Sequence, residues 1–402
     1  MVETSPEPKS KQENTANERT KVAVACQGGG MHAAFSVGVL TEILEEVKGG
    51  KFELVGLSGT SAGALVALMV WYGLAPKNGV VGSEVEASRL LNKFWKNFVA
   101  NTPAETLLNF FTYRTFKAEE AEIPWLGINA PLLAGTFNPY GVVYKAIAGC
   151  LPTLGVRQQY FDLGELLKHY CPKFKNVDWD SVKTRLLIGA SEVVNGFETV
   201  FDSWVNSQLV PPNQGMRHSK NYWRQQLPLS LKGVAASGTL PIFRKAQKLT
   251  GEEVDYYWDG LYSHNPPVRD FFTIDEKEHK PDELWIIRIN PQQRGHKAPK
   301  TNASIIDREN ELMGNLSLNK ELDFILHVNK WCHDEELAQN KKHVTVRTIK
   351  MTKETADALQ YSSKFDRSRA FMERLRDEGQ EVAQSWLKQW PRVGKYPEDA
   401  GY

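Results

Sequence analysis

The sequence predicts an α/β fold of three layers, with a mainly parallel central sheet between helices. Three observations carry that prediction. Lys21–Cys26 (KVAVAC) is a short β-branched run without helical period that enters Gln27-Gly28-Gly29-Gly30, as a buried strand enters a loop. Met31–Val47 then places Phe35, Val39, Leu40, Ile43 and Leu44 at helical spacing and stops at Gly49-Gly50. A second apolar run, Phe52–Leu57, passes through Gly59-Thr60-Ser61-Ala62-Gly63 into the uniformly apolar Ala64–Tyr72. Strand, loop, helix, strand, sharp turn, helix is the chain order that builds a parallel sheet covered on both faces.

The 402 residues suffice for one large α/β domain with insertions or for two ordinary domains. With 41% apolar and 24% charged residues the composition is that of a globular protein, and a net charge of +1 gives no general attraction to nucleic acid or anionic membranes. The four cysteines, Cys26, Cys150, Cys171 and Cys332, are scattered without C-x-x-C pairing, so neither a metal site nor a disulfide framework is expected, and no cofactor is implied. Residues 1–20 lack an apolar stretch and read as a disordered polar tail without targeting character. The apolar run Ala62–Ala75 is too short to span a bilayer. A cytoplasmic protein, at most peripheral to a membrane, is the expectation.

The remaining elements follow in order. Residues 76–160 form a helical insertion. Leu90, Leu91, Phe94, Trp95 and Phe98 share one helical face, Leu107, Leu108, Phe110 and Phe111 cluster after it, and Trp125, Phe137 and Tyr140 lie among turns. This segment either packs on the sheet or caps the site, with 90–111 as a peripheral membrane contact. Arg185–Asp202 reads as a hairpin about Asn195-Gly196. Pro211–Asn221 is an open polar loop, Leu229–Ala236 a helix ending at Ser237-Gly238, and Leu284–Ile289 (LWIIRI) a buried strand. Pro291–Ser304 has linker composition. Beyond it come long amphipathic helices through Leu312–Trp331, a strand at His343–Lys350 and a closing helix at Phe365–Trp390. The expected division is a tail at 1–20, a catalytic domain at 21–290 and an extension at 291–402 packed upon it.

Chemistry enters at Ser61. Strand, turn with Ser at the apex, and buried helix make a nucleophile elbow, in which Gly59 and Gly63 omit side chains that would clash. Ser61 then sits at a helix N-terminus, where unpaired N–H groups favour developing negative charge. Gly28, Gly29 and Gly30 present further unobstructed N–H groups between strand and helix, suited to a phosphate or an oxyanion. A dinucleotide fingerprint is disfavoured, because Ala33 replaces the third Gly of G-x-G-x-x-G and the next strand leads to an elbow. Tyr256–Leu261 contains Asp259-Gly260 at the end of an aromatic, strand-like run, which alone reads as a turn. His264, His279, His296, His327, His333 and His343 lie in polar contexts, and His264 reads as a surface-loop residue. They supply no triad. Ser58 and Ser237 are rival hydroxyls in structural positions, the second packed against the nucleophile helix.

Taken together these residues resemble the patatin-like phospholipase family, in its bacterial acyl-hydrolase form. The likeness rests on the Gly-rich loop after the first strand, on Gly59–Gly63, on Ala235-Ala236-Ser237-Gly238-Thr239-Leu240-Pro241-Ile242-Phe243, and on Asp259-Gly260 followed by Asn265-Pro266-Pro267. It covers roughly residues 21–290. The resemblance implies a Ser-Asp dyad. Asp259 accepts the hydroxyl proton of Ser61 directly, and the N–H groups of Gly28–Gly30 and Ala62 hold the oxyanion while Ser61 attacks a lipid acyl ester. Two positions depart from the family pattern. His32-Ala33 stands where Arg or Lys and Gly are usual, which puts a cation beside the site in doubt, and Leu261 stands where Gly or Ala is usual. These departures are the only hints of the alternative, an inactive binding protein on the same fold.

Overall fold

The computed structural model describes residues 19–121, 152–209, 223–240, 246–249, 255–273, 279–293, 298–333 and 342–397. Residues 1–18 of the expected tail, Trp125, Phe137 and Tyr140, and the loop Pro211–Asn221 lie outside these residues. Among the described residues nine strands form one sheet: β1 Lys21–Cys26, β2 Glu53–Thr60, β3 Arg185–Glu192, β4 Glu198–Asp202, β5 Arg224–Pro228, β6 Gln247–Lys248, β7 Tyr256–Asp259, β8 Glu283–Arg288 and β9 Thr345–Lys350. Their order is β5-β4-β3-β2-β1-β8-β9, with β7 joined to β3 and β6 to β7. The pairs β1–β2, β1–β8, β2–β3, β4–β5 and β8–β9 are parallel, whereas β3–β4, β3–β7 and β6–β7 are antiparallel. The Asn195-Gly196 hairpin is the β3–β4 pair, with Gly196 at φ 75°.

Both faces of the sheet are covered, and side-chain alternation along β1 divides them. Val22, Val24 and Cys26 enter one core with α1 (Ala34–Lys48), α2 (Ala62–Leu74) and α3 (Glu84–Phe98). Ala23 and Ala25 enter the other, with Leu318, Leu322 and Ile325. The helix α2 is apolar all round because it is buried all round, from Ala62 to Gly73. The helix α3 begins on an N-cap, where the Ser83 hydroxyl accepts the Glu86 N–H at 3.2 Å.

The apolar face of α3 is core. Leu90, Leu91, Phe94 and Trp95 are buried, and Phe94 meets Tyr170 of α5 (Leu163–Tyr170) edge-on at 5.1 Å. A membrane contact through residues 90–98 is therefore corrected: a wide apolar stripe on a helix is explained by the neighbours it covers, here α1 and α2. By contrast Leu107, Phe110 and Phe111 on α4 (Pro103–Glu120), the next helix, are about half exposed, at 57%, 49% and 58%.

The C-terminal segment is part of the same architecture. The helix α6 (Leu231–Ser237) precedes it, and α7 (Asn302–His333) is one 32-residue helix that lays Leu318, Leu322 and Ile325 on the second core. The strand β9 adds the last parallel strand, in register from Glu283↔Thr345 to Arg288↔Lys350. The helix α8 (Arg369–Gln389) crosses α1 at Gly38 and Gly379. A Cβ on Gly38 would stand 2.0 Å from the Arg376 carbonyl oxygen, so only glycine permits that approach. Within the expected extension, α7 and α8 pack on the preceding elements and β9 adds an edge strand to their sheet.

Candidate active site

The topology brings two of the expected residues together. One side of β3 is taken by β4. The other side is held by β2 as far as Thr60, which pairs with Gly189. There β2 turns away at Ser61, and β7 arrives antiparallel to take over the same side, pairing Asp259 with Ala190. Thr60, the residue before Ser61, and Asp259 thus pair with successive residues on one edge of β3. Ser61 and Asp259 both line a cavity of about 80 Å³ at the C-terminal ends of the parallel strands, the usual location of sites in such sheets.

Ser61 has φ 56° and ψ −127°, a region that L-residues rarely occupy and that holds a side chain at the tip of a sharp turn. Its surroundings fix it there. The Ser61 N–H donates to Ser237 Oγ at 2.9 Å, and Thr60 Oγ1 donates to the His264 carbonyl at 2.8 Å. Gly59 and Gly63 face each other across the turn, where a Cβ on Gly59 would stand 2.4 Å from the Gly63 oxygen. Gly28 lies against the elbow itself, and a Cβ there would stand 2.7 Å from that of Ser61.

Asp259 is completely buried. Its Oδ1 accepts the Leu261 N–H at 2.9 Å, and its own N–H donates to the Thr239 carbonyl at 2.9 Å. Burial raises the carboxyl pKa to about 7, while the Ser61 hydroxyl and the Leu261 N–H hold it down. The hydroxyl is near enough to be felt, yet Oδ2 has no partner at hydrogen-bond geometry.

The N–H groups divide. Those of Gly29 and Gly30 form no hydrogen bond among the described residues, and neither does that of Ala62 in the first turn of α2. The Gly28 N–H, expected among the oxyanion donors, is already bonded to Asn265 Oδ1 at 2.6 Å. That expectation is corrected. Gly28 is needed for its lack of a side chain.

His264 is buried, at 1% exposure, not a surface residue as its polar neighbours suggested. Its ring donates from Nε2 to the Thr199 carbonyl at 3.0 Å, which leaves it outside the cavity lining. Burial, then the nearby Arg224 charge, lowers its pKa to about 4, so it is neutral at pH 7. His32 is also buried and lies 2.8 Å from Ser363 Oγ. Ser58 and Ser237 are both fully buried, and Ser237 supports the elbow. Cys26, Cys171 and Cys332 are free thiols, and among the described residues no His, Cys, Asp or Glu cluster could hold a metal ion.

Several lining residues escaped the sequence. Lys364 and Phe365 reach the cavity from a 3-10 turn at Ser362–Phe365, Tyr361 from the position before it, and Asn310 from α7. Lys364 is ion-paired with Asp307 at 2.6 Å, and its carbonyl abuts Gly30. No motif marks these residues, because only the folding back of the C-terminal segment brings them here. Asn290 could have been found, as it lies two residues beyond the buried strand β8.

The patatin-like phospholipase family model matches residues 24–272, which include the glycine loop, the elbow and Asp259. This chain belongs to the patatin-like phospholipase family. Among solved structures, VipD from Legionella pneumophila aligns over 92% of this chain and 67% of its own, with 11% identity and a TM-score of 0.38. The type III effector ExoU aligns over 92% of this chain and 53% of its own, with 13% identity and a TM-score of 0.29. ExoU in complex with SpcU, from Pseudomonas aeruginosa, aligns over 91% and 52%, with 15% identity and a TM-score of 0.27. The chain thus spans about half the length of ExoU. No curated protein matches it in sequence. Among the described residues no helix is long and apolar enough to cross a membrane.

Proposed function

We propose that the chain hydrolyses lipid acyl esters through a Ser61–Asp259 dyad. The observation that carries this reading is a fully buried carboxyl, with its pKa raised to about 7, beside a strained serine. Ser61 Oγ attacks the ester carbonyl as Asp259 takes its proton, and the carbonyl electron pair becomes an oxyanion facing the N–H groups of Gly29, Gly30 and Ala62. The tetrahedral intermediate collapses. The alcohol leaves with the proton from Asp259, and water then releases the fatty acid with Asp259 again as base. A carboxyl with pKa near 7 suits both directions of proton transfer at neutral pH.

Leu240, Leu261 and Phe365 give the cavity an apolar wall, which favours an acyl chain over a charged substituent. Lipid contact on this reading belongs to α4, where Leu107, Phe110 and Phe111 are exposed. The test compares wild type with Ser61→Ala and Asp259→Asn on a short soluble ester and on phospholipid vesicles. Each substitution should lower turnover by about 10³-fold or more in a protein that still melts cooperatively, since the two side chains act as one unit. Near wild-type turnover in Asp259→Asn would contradict the dyad.

A further inference from the structure

The glycine loop contains a clamp of buried amides whose geometry bears on one N–H group. The Gly28 carbonyl accepts two bonds, from Asn290 Nδ2 at 2.7 Å and from Asn265 Nδ2 at 3.3 Å. Asn265 Oδ1 also takes the Gly28 N–H, so this one side chain holds both polar groups of Gly28. An N–H on one side and a carbonyl on the other fix which way the Asn265 amide points. Asn290 is held in turn: its N–H and that of Ile289 donate to Gln27 Oε1 at 3.2 and 3.1 Å. Gln27 Nε2 donates to Asn315 Oδ1 of α7 at 3.0 Å. Gln27, Asn265, Asn290 and Asn315 are all at least 96% buried.

The Gly28 carbonyl and the Gly29 N–H belong to one peptide plane. The bond between them is trans, so the two groups point in opposite directions. With the carbonyl held by two amides, the Gly29 N–H is turned away from them, and Gly29 itself lines the cavity with Ser61. Sterics do not select this orientation. The plane is flanked by glycine on both sides, and glycine rotates past barriers that would stop any other residue. Something else must hold it, and the amides are what touch it.

We propose that Asn265 and Asn290, which border the cavity themselves, are positioning residues that aim the Gly29 N–H at the oxyanion. The inference rests on the serine-hydrolase reading above. Asn265 further links the oxyanion loop to the segment that carries Asp259, so donor and base are held by one buried network.

The test uses Asn290→Ala and Asn265→Ala in the full chain, with wild type and Ser61→Ala as references on a short ester. Each Asn variant should lose about 10²–10³-fold in kcat, the size expected for one misdirected oxyanion donor, with KM within about three-fold. A trifluoromethyl ketone separates positioning from general loosening. Ser61 Oγ bonds to its carbonyl carbon, the hydroxyl proton passes to Asp259, and the carbonyl pair becomes an oxyanion. Its Ki should rise in proportion to the loss in kcat/KM, while the matching secondary alcohol, which forms no oxyanion, binds unchanged. Asn265→Ala leaves the Gly28 N–H unbonded and serves only if it melts cooperatively; Asn290→Ala decides otherwise. An active wild type with Asn290→Ala within about three-fold of it in kcat, or with ketone and alcohol weakened alike, overturns the clamp and leaves the hydrolase reading standing. A wild type without Ser61-dependent hydrolysis overturns both.

Discussion

Asp259 links activity and stability with opposite signs. Its folded pKa of about 7 lies above the ordinary carboxylate value because burial disfavours the charge. As a base it must be ionised, so kcat/KM should rise with pH through a midpoint near 7. Stability runs the other way. The folded state holds this proton more tightly than the unfolded chain, so the contribution is complete below about pH 4 and is lost as pH rises through 7. Asp259→Asn should therefore gain on wild type by about 1.4 kcal/mol per pH unit between pH 4 and 7, then level off. Denaturant midpoints across that range test this, and a difference independent of pH would contradict it. His264 gives the complementary prediction. It is buried and neutral and bonds Thr199, so His264→Gln should lower the melting temperature while kcat per folded molecule stays near wild type. A collapse of kcat in a folded His264→Gln protein would point to a triad.

Two neighbouring helices differ in what their aromatic residues do. Phe94 on α3 is fully buried, and Phe94→Ala should cost about 3–5 kcal/mol and depress every activity together. Phe110 and Phe111 on α4 are exposed and meet each other edge-on at 5.8 Å. Replacing both with Asp should change stability by about 0.5 kcal/mol or less, while lowering hydrolysis of vesicle phospholipid and sparing a short ester. Equal loss on both substrates would remove α4 from lipid contact. The sequence pattern could not separate these helices, because periodicity reports that a face is apolar and not what covers it. Elements were more legible where a local rule fixes them. KVAVAC is β1, the Asn195-Gly196 turn is the β3–β4 hairpin, and the elbow follows from two glycines about a serine.

At the scale of the molecule, the C-terminal residues proved hardest to read. They carry no motif, yet they supply β9, lay α8 on α1 and bring Tyr361, Lys364 and Phe365 to the cavity. Ser61 and Asp259 were legible as residues, but their meeting depends on β7 replacing β2 along β3, a long-range pairing that no local spacing encodes. Asn265 stood within a motif without a visible task, since its partner Gly28 is 237 positions away. Removing residues 342–402 exposes the apolar edge of β8 and the α8-covered face of α1, so the shortened chain should lose its near-ultraviolet circular dichroism and cooperative melting. A folded, active fragment would show that the extension is an addition after all. The central claim, that Ser61 is the nucleophile, has a more direct test in covalent labelling with a fluorophosphonate followed by peptide mass mapping. The account predicts one adduct per chain, on the peptide containing Ser61, absent in Ser61→Ala and strongly slowed in Asp259→Asn. An adduct on another residue, or none on a folded protein, would contradict it.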